Sequence, residues 1–190
     1  MNKLLLTLVS LAPTLALAHT GADAGMHHGS PLFDGFTHPF TGLDHLAAMV
    51  AVGVWSVLCF RHAGRRMLIV PAAFAALLLA GGIAGVAGLG LPGVEPVIAS
   101  SLLVLGLMIA ARVHLPLPAG AGLVGAFAVF HGLAHGAELP AAALGGMVAA
   151  TLLLHLSGMV LGHFVLNRHQ WLPRIAGMAV AAFGISLLAA

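Results

Sequence analysis

From residue 41 to residue 190 the chain reads as six apolar stretches, and all six of its arginines fall in every second break between them. The stretches cover 41–60, 67–90, 96–111, 119–139, 140–166 and 174–190. Crossing ~30 Å of hydrocarbon takes ~20 apolar residues, so most have the length for it, and the third and sixth lie at the short end. Leu91-Pro92-Gly93 and Leu139-Pro140 interrupt helices rather than sit inside them. Only 6% of the residues are charged, against about 25% in a soluble domain. So few charges leave the outer surface apolar, and the surrounding solvent is therefore a lipid bilayer. The expected fold is an all-α polytopic membrane protein with six transmembrane helices in one domain, 41–190.

The arginines orient the bundle. Arg61, Arg65 and Arg66 lie between the first and second stretches, Arg112 between the third and fourth, and Arg168 and Arg174 between the fifth and sixth. In a six-span count these breaks share one side. The acidic residues Asp23, Asp34, Asp44, Glu95 and Glu138 fall on or toward the other. Positively charged connections stay in the cytoplasm, which puts both ends of the bundle in the periplasm of a bacterial inner membrane. Residues 1–18 agree with that orientation. Lys3, the apolar run 4–15 and Ala16-Leu17-Ala18 have the pattern of a cleavable signal peptide. Cleavage would make His19 the first residue of a periplasmic His-containing segment, 19–40. Its Asp23, His27 and His28, with His19, form a short tract that can chelate metal or serve as a polar tail.

Twelve histidines in so apolar a chain need a chemical reason. Two clusters carry most of it. His131, His135 and Glu138 are spaced i, i+4 and i+7, which places them within about 60° of one another on one helix face. Gly132 and Gly136 beside them allow another helix or an ion to come close. Two imidazoles and a carboxylate on one stripe suit Ni, Co, Zn or Fe. The alternative is a packing face whose imidazoles bond neighbouring carbonyls. The other cluster is His38, Asp44 and His45 at the start of the first stretch. Thr41 and Asp44 fit a helix capping box, whereas Asp44 beside His45 also fits a carboxylate that orients a metal-binding imidazole. The first stretch runs inward and the fourth outward, so both clusters fall in the outer half, with His45 roughly 6 Å and His131 roughly 12 Å deep.

His155 lies past the middle of the fifth stretch and is a further candidate ligand. Met159, one turn on, offers a soft donor, although a lone methionine is more often core. His38, His45, His135, His131, His155 and His163 then form a descending ladder of weak sites along which an ion can pass. His62, His114 and His169 sit among the arginines as solvated loop residues, and Glu95 reads as a helix cap or a vestibule charge. Gly81-x-x-x-Gly85 and Gly158-x-x-x-Gly162 offer small-residue faces for helix packing or for a homo-oligomer contact.

At the two clusters the sequence resembles the HupE/UreJ family of bacterial nickel and cobalt permeases. The resemblance rests on His38-Pro39 through Asp44-His45 and on His131-Gly132-Leu133-Ala134-His135-Gly136-Ala137-Glu138. It continues through Val52-Gly53-Val54-Trp55, the signal peptide and the overall length. It implies a permease supplying nickel or cobalt to metalloenzymes such as hydrogenase or urease, with the metal as cargo and no prosthetic group.

The leading expectation is thus a secondary transporter of divalent nickel or cobalt. No Gly-x-x-x-x-Gly-Lys-Ser/Thr loop is present to bind ATP, and a net charge of +2 gives no reason to expect a nucleic-acid partner. The competing expectation is a membrane-embedded zinc-dependent hydrolase with Asp44 or Glu138 as general base. An intramembrane serine protease at Ser157 does not fit, because His155 lies two residues away on a different helical face. The single cysteine, Cys59, excludes an internal disulfide and a thiolate-rich site.

Overall fold

The computed structural model describes residues 30–190, without the side chains of 165–167. The signal peptide and the donors His19, Asp23, Met26, His27 and His28 lie outside the described residues. Among the described residues, seven α-helices and one 3-10 turn account for the ordered elements, and there is no strand. They are α1 (Pro31–Thr41), α2 (Leu43–Phe60), α3 (Ile69–Val86), α4 (Val94–Ala110), α5 (Leu117–Glu138), α6 (Ala143–Arg168) and α7 (Leu172–Leu188), with the 3-10 turn Gly64–Leu68 leading into α3. Four segments, those of α2, α3 with its 3-10 turn, α5 and α6, are long and apolar enough to cross a membrane. α4 and α7 are apolar but have 17 residues each, about 26 Å of helix. Large apolar side chains such as Ile83, Leu107, Leu153, Val160, Ile175 and Ile185 point outward. Lipid is the solvent in which such a surface is stable, and the chain is a multi-pass membrane protein.

α2 is the enclosed helix, with 72% of its residues buried against 39–50% for the other three long spans. The six helices α2 to α7 pack in close pairs through glycines. A Cβ added at Gly53 would meet the His155 carbonyl, and one at Gly158 would meet Val50, so α2 and α6 run parallel in near backbone contact. Gly81, Gly85, Gly132 and Gly136 bring α3 and α5 together in the same way. Gly106, Gly177 and Gly184 pair α4 with α7, here antiparallel. Exchanging α2 with α5, α3 with α6 and α4 with α7 turns the α2–α6 pair into the α5–α3 pair and leaves α4–α7 on itself. This is the pairing pattern of two three-helix halves of opposite direction. The glycines at 81, 85, 158 and 162 thus serve packing within the chain.

The arginine-bearing connections meet at one end. Arg112 Nη2 donates to the Gln170 carbonyl at 2.8 Å, and Trp55 Nε1 and Cys59 Sγ, near the end of α2, both donate to the Val113 carbonyl. Pro71 has no N–H to offer the Met67 carbonyl one turn back, and the Ser56 hydroxyl donates to that carbonyl instead.

At the outer end most of α1 falls within the His-containing segment 19–40, and the helix lies on α6 with Gly35 against the Ala143 carbonyl and Gly146 against Leu32. Ser30 caps it, its Oγ accepting from the Phe33 N–H at 3.3 Å, with Pro31 and Asp34 in the first turn. The capping box over Thr41 and Asp44 does not form. Thr41 ends α1 and donates its hydroxyl to the His38 carbonyl at 2.8 Å, and α2 begins after Gly42 without a side-chain cap. Glu95 likewise stands in the first turn of α4, whose cap is Gly93 in a left-handed conformation with φ 77°.

Candidate metal-binding site

α1, the start of α2 and the end of α5 converge at the end of the bundle opposite the arginines, and each brings histidines. The extended backbone at Gly42 separates α1 from α2, so His38 on one helix and His45 on the next turn toward the same space. A Cβ at Gly42 would lie 2.8 Å from the Asp44 carboxylate and 3.0 Å from His45 Nδ1, which leaves little room for a larger residue. The ring centroids of His38 and His45 are 6.0 Å apart, and those of His45 and His135 are 4.5 Å apart. His38 is 4.7 Å from His135, and His45 is 5.7 Å from His131. Four imidazoles from two sequence clusters some ninety residues apart thus form one group.

Hydrogen bonds fix how these rings are held. Asp44 and His45 are both buried, and His45 Nδ1 lies 2.9 Å from Asp44 Oδ1. An imidazole donating Nδ1–H to a carboxylate carries its lone pair on Nε2 and is made more basic. His131 Nδ1 lies 2.9 Å from the Phe127 carbonyl one turn back, and a carbonyl can only accept. The proton is therefore on Nδ1, and the lone pair is on Nε2, which is buried with no hydrogen-bond partner among the described residues. His38 Nε2 and His135 Nδ1 share a hydrogen bond of 3.1 Å, while His135 Nε2 is buried and also without a partner among the described residues. Leaving such nitrogens unmatched costs ~1–3 kcal/mol each, and a metal ion would complete them. Glu138 is exposed at the mouth, and His38, His135 and Glu138 each offer a ligand atom within 4.8 Å of the others. Imidazole nitrogens with a carboxylate at the rim are a donor set for a divalent first-row metal.

The structure gathers His38, Asp44, His45, His131, His135 and Glu138, all candidates from the sequence, at one end. Gly132 and Gly136 face α3, so the space they leave is filled by a helix. His155 stands apart. It is fully buried on α6, with Phe74 of α3 between it and the cluster, the Phe74 ring being 5.8 Å from His131 and 5.0 Å from His155. Phe74 was not foreseen, because a phenylalanine in an apolar helix carries no mark of its neighbours. His163 lines a groove at the arginine end together with His62 and Met159, while His114 and His169 are exposed. The Ser157 hydroxyl donates to the Leu153 carbonyl and faces outward.

The sequence profile of the family described as HupE / UreJ protein matches residues 6–187. Protein HupE from Rhizobium leguminosarum bv. viciae is 41% identical over an alignment of 194 positions, which covers 98% of this chain and 97% of that protein. No solved structure matches. A match over nearly the whole length, and a fold that unites the residues of both motifs, lead to one assignment: this chain belongs to the HupE/UreJ family.

Proposed function

We propose that this protein is a permease taking up Ni2+ or Co2+ across the bacterial inner membrane. The carrying observation is the group of four imidazoles at one end of the bundle, with Asp44 against His45 and Glu138 at the mouth. Membership of the HupE/UreJ family supports a role in nickel or cobalt transport. In this reading α2 to α7 all cross the bilayer, the arginine end is cytoplasmic by the positive-inside rule, and both ends of the bundle are periplasmic once residues 1–18 are removed. The cluster then faces the periplasm as the entry site, with Glu138 and His38 receiving the hydrated ion and His45, His131 and His135 replacing its waters. The His19 tract would act as a collector upstream.

Neutral imidazoles suit a site that must also release its ion, since they bind first-row metals without the near-irreversible grip of thiolates. An inside-negative potential can drive the uptake: a divalent cation gains about 4.6 kcal/mol per 100 mV, and ~1.4 kcal/mol is tenfold in concentration, so more than three decades of accumulation follow. A hydrolase would need a carboxylate available as general base over the metal. Asp44 is already engaged by His45, and Glu138 stands with the ligands, so transport is the better use of these groups.

Expression in cells lacking their own nickel and cobalt permeases tests the proposal. Radiolabelled Ni2+ or Co2+ should accumulate with the chain and not without it, and an uncoupler should abolish accumulation. Correct insertion with no accumulation of either metal would refute it.

A further inference from the structure

Phe74 interrupts the histidine ladder. Its ring is fully buried between His131, the deepest imidazole of the outer cluster, and His155, on which it sits edge-on with an interplanar angle of 88°. Beyond it His155 is fully buried on α6, and polar atoms there are left over by the packing. Of the two ring nitrogens of His155, the Pro71 carbonyl can engage only one, and the other has no hydrogen-bond partner among the described residues. Thr151, one helical turn away on the same face of α6, is also fully buried, and its hydroxyl lacks a partner among the described residues. A threonine in a helix ordinarily returns its hydroxyl to a carbonyl one turn back, so an unmatched hydroxyl beside an unmatched imidazole leaves polar atoms waiting for a ligand. One turn from His155 in the other direction is Met159, a buried thioether that also lines the groove at the arginine end. That groove has a volume of about 670 Å³ and includes His62 and His163 in its wall. The backbone around His155 is fixed, since Gly53 of α2 lies directly against its carbonyl.

We propose that His155 and Thr151 form a second metal station, distinct from the outer imidazole cluster, and that the Phe74 ring is the partition an ion must displace to pass between them. This rests on the transport reading for its direction: the ion leaves His155 by Met159 into the groove that opens at the cytoplasmic end. Two stations separated by an apolar ring give a transporter an occluded step, because an ion can be held on one side while the other is closed. The inner station has fewer nitrogen donors than the outer one and binds more weakly, as a release site requires.

The test uses Co2+ as the probe with the full chain purified into lipid nanodiscs. With His19, His27 and His28 replaced by Ala to silence the upstream tract, cobalt titration should give two ions per chain of unequal affinity. His155→Gln, which keeps a polar side chain of similar size, should lose the weaker ion and retain the tighter one, whereas His135→Ala should lose the tighter and retain the weaker. In proteoliposomes Phe74→Leu should load Co2+ but fail to retain it once the external ion is chelated, while wild type retains it. A single cobalt per chain in this background, or an unchanged titration in both His155→Gln and His155→Ala, would overturn the second station. Wild-type retention by both Phe74→Leu and Phe74→Ala would overturn the partition. Failure of the transport reading is separable, because it appears as protein that binds two ions in this background but carries neither nickel nor cobalt into the vesicles.

Discussion

Replacing Asp44 tests whether the carboxylate belongs to the helix or to the metal site. Asp44 is only 3% exposed and holds His45 Nδ1 at 2.9 Å. Asp44→Asn preserves an oxygen that can accept the same hydrogen bond but removes the charge that makes the ring a stronger metal donor. Losing such a partner typically lowers metal affinity 10–100-fold, about 1.4–2.7 kcal/mol. Asp44→Ala removes the acceptor too and leaves a buried N–H unmatched, which costs a further ~1–3 kcal/mol. The expected order of apparent KM for Ni2+ uptake is therefore wild type, then Asn, then Ala. A role at the helix start predicts a different pattern, because Asp44 would act there through its charge on the helix dipole, and substitution by Asn, Ala or Ser would cost stability alike. Serine is also too short to replace the carboxylate at His45. Asp44→Ser should therefore behave like Asp44→Ala. The assay is initial uptake rate against metal concentration, normalised to protein in the membrane. Wild-type KM in Asp44→Ser, or equal KM in all four proteins, would refute the reasoning.

Further predictions concern the packing that builds the site. Gly35→Leu places a side chain where a Cβ alone would lie 1.9 Å from the Ala143 carbonyl, so α1 should lift from α6 and carry His38 away. Metal affinity should fall about as much as in His38→Ala, while membrane insertion and the helical circular dichroism stay unchanged. Gly132→Val should separate α3 from α5, since its Cβ would lie 2.1 Å from the Leu78 carbonyl, whereas Gly122→Val enters open space. Thermal unfolding in detergent should show a large drop in Tm for Gly132→Val and little change for Gly122→Val.

Much of this was legible from the residues. Helix periodicity put His131, His135 and Glu138 on one face, and arginine placement set a relative direction for each stretch, so the two clusters were expected at one end. The meeting of His38 with His135 at 3.1 Å follows from that logic. Helix α1 is obscured because Pro39 reads as a break and Asp34, Gly35, Thr37 and His38 interrupt its apolar residues, yet Ser30-Pro31 with Asp34 is an ordinary helix start. The role of Asp44 could not be decided from spacing, since capping and imidazole orientation demand the same residue type at the same place. Only the kink at Gly42, a tertiary feature, separates them. Phe74 and Thr151 were invisible for a similar reason: their meaning comes from which helix packs against them, and an apolar sequence does not encode its neighbours one residue at a time.

The most direct test of the account is metal flux through the purified chain alone. Proteoliposomes containing it, with an inside-negative potential set by a potassium gradient and valinomycin, should accumulate radiolabelled Ni2+ or Co2+, and accumulation should be lost on dissipating the potential and in His131→Ala and His135→Ala. Accumulation by both variants equal to wild type, or none by the well-folded wild-type protein, would contradict it.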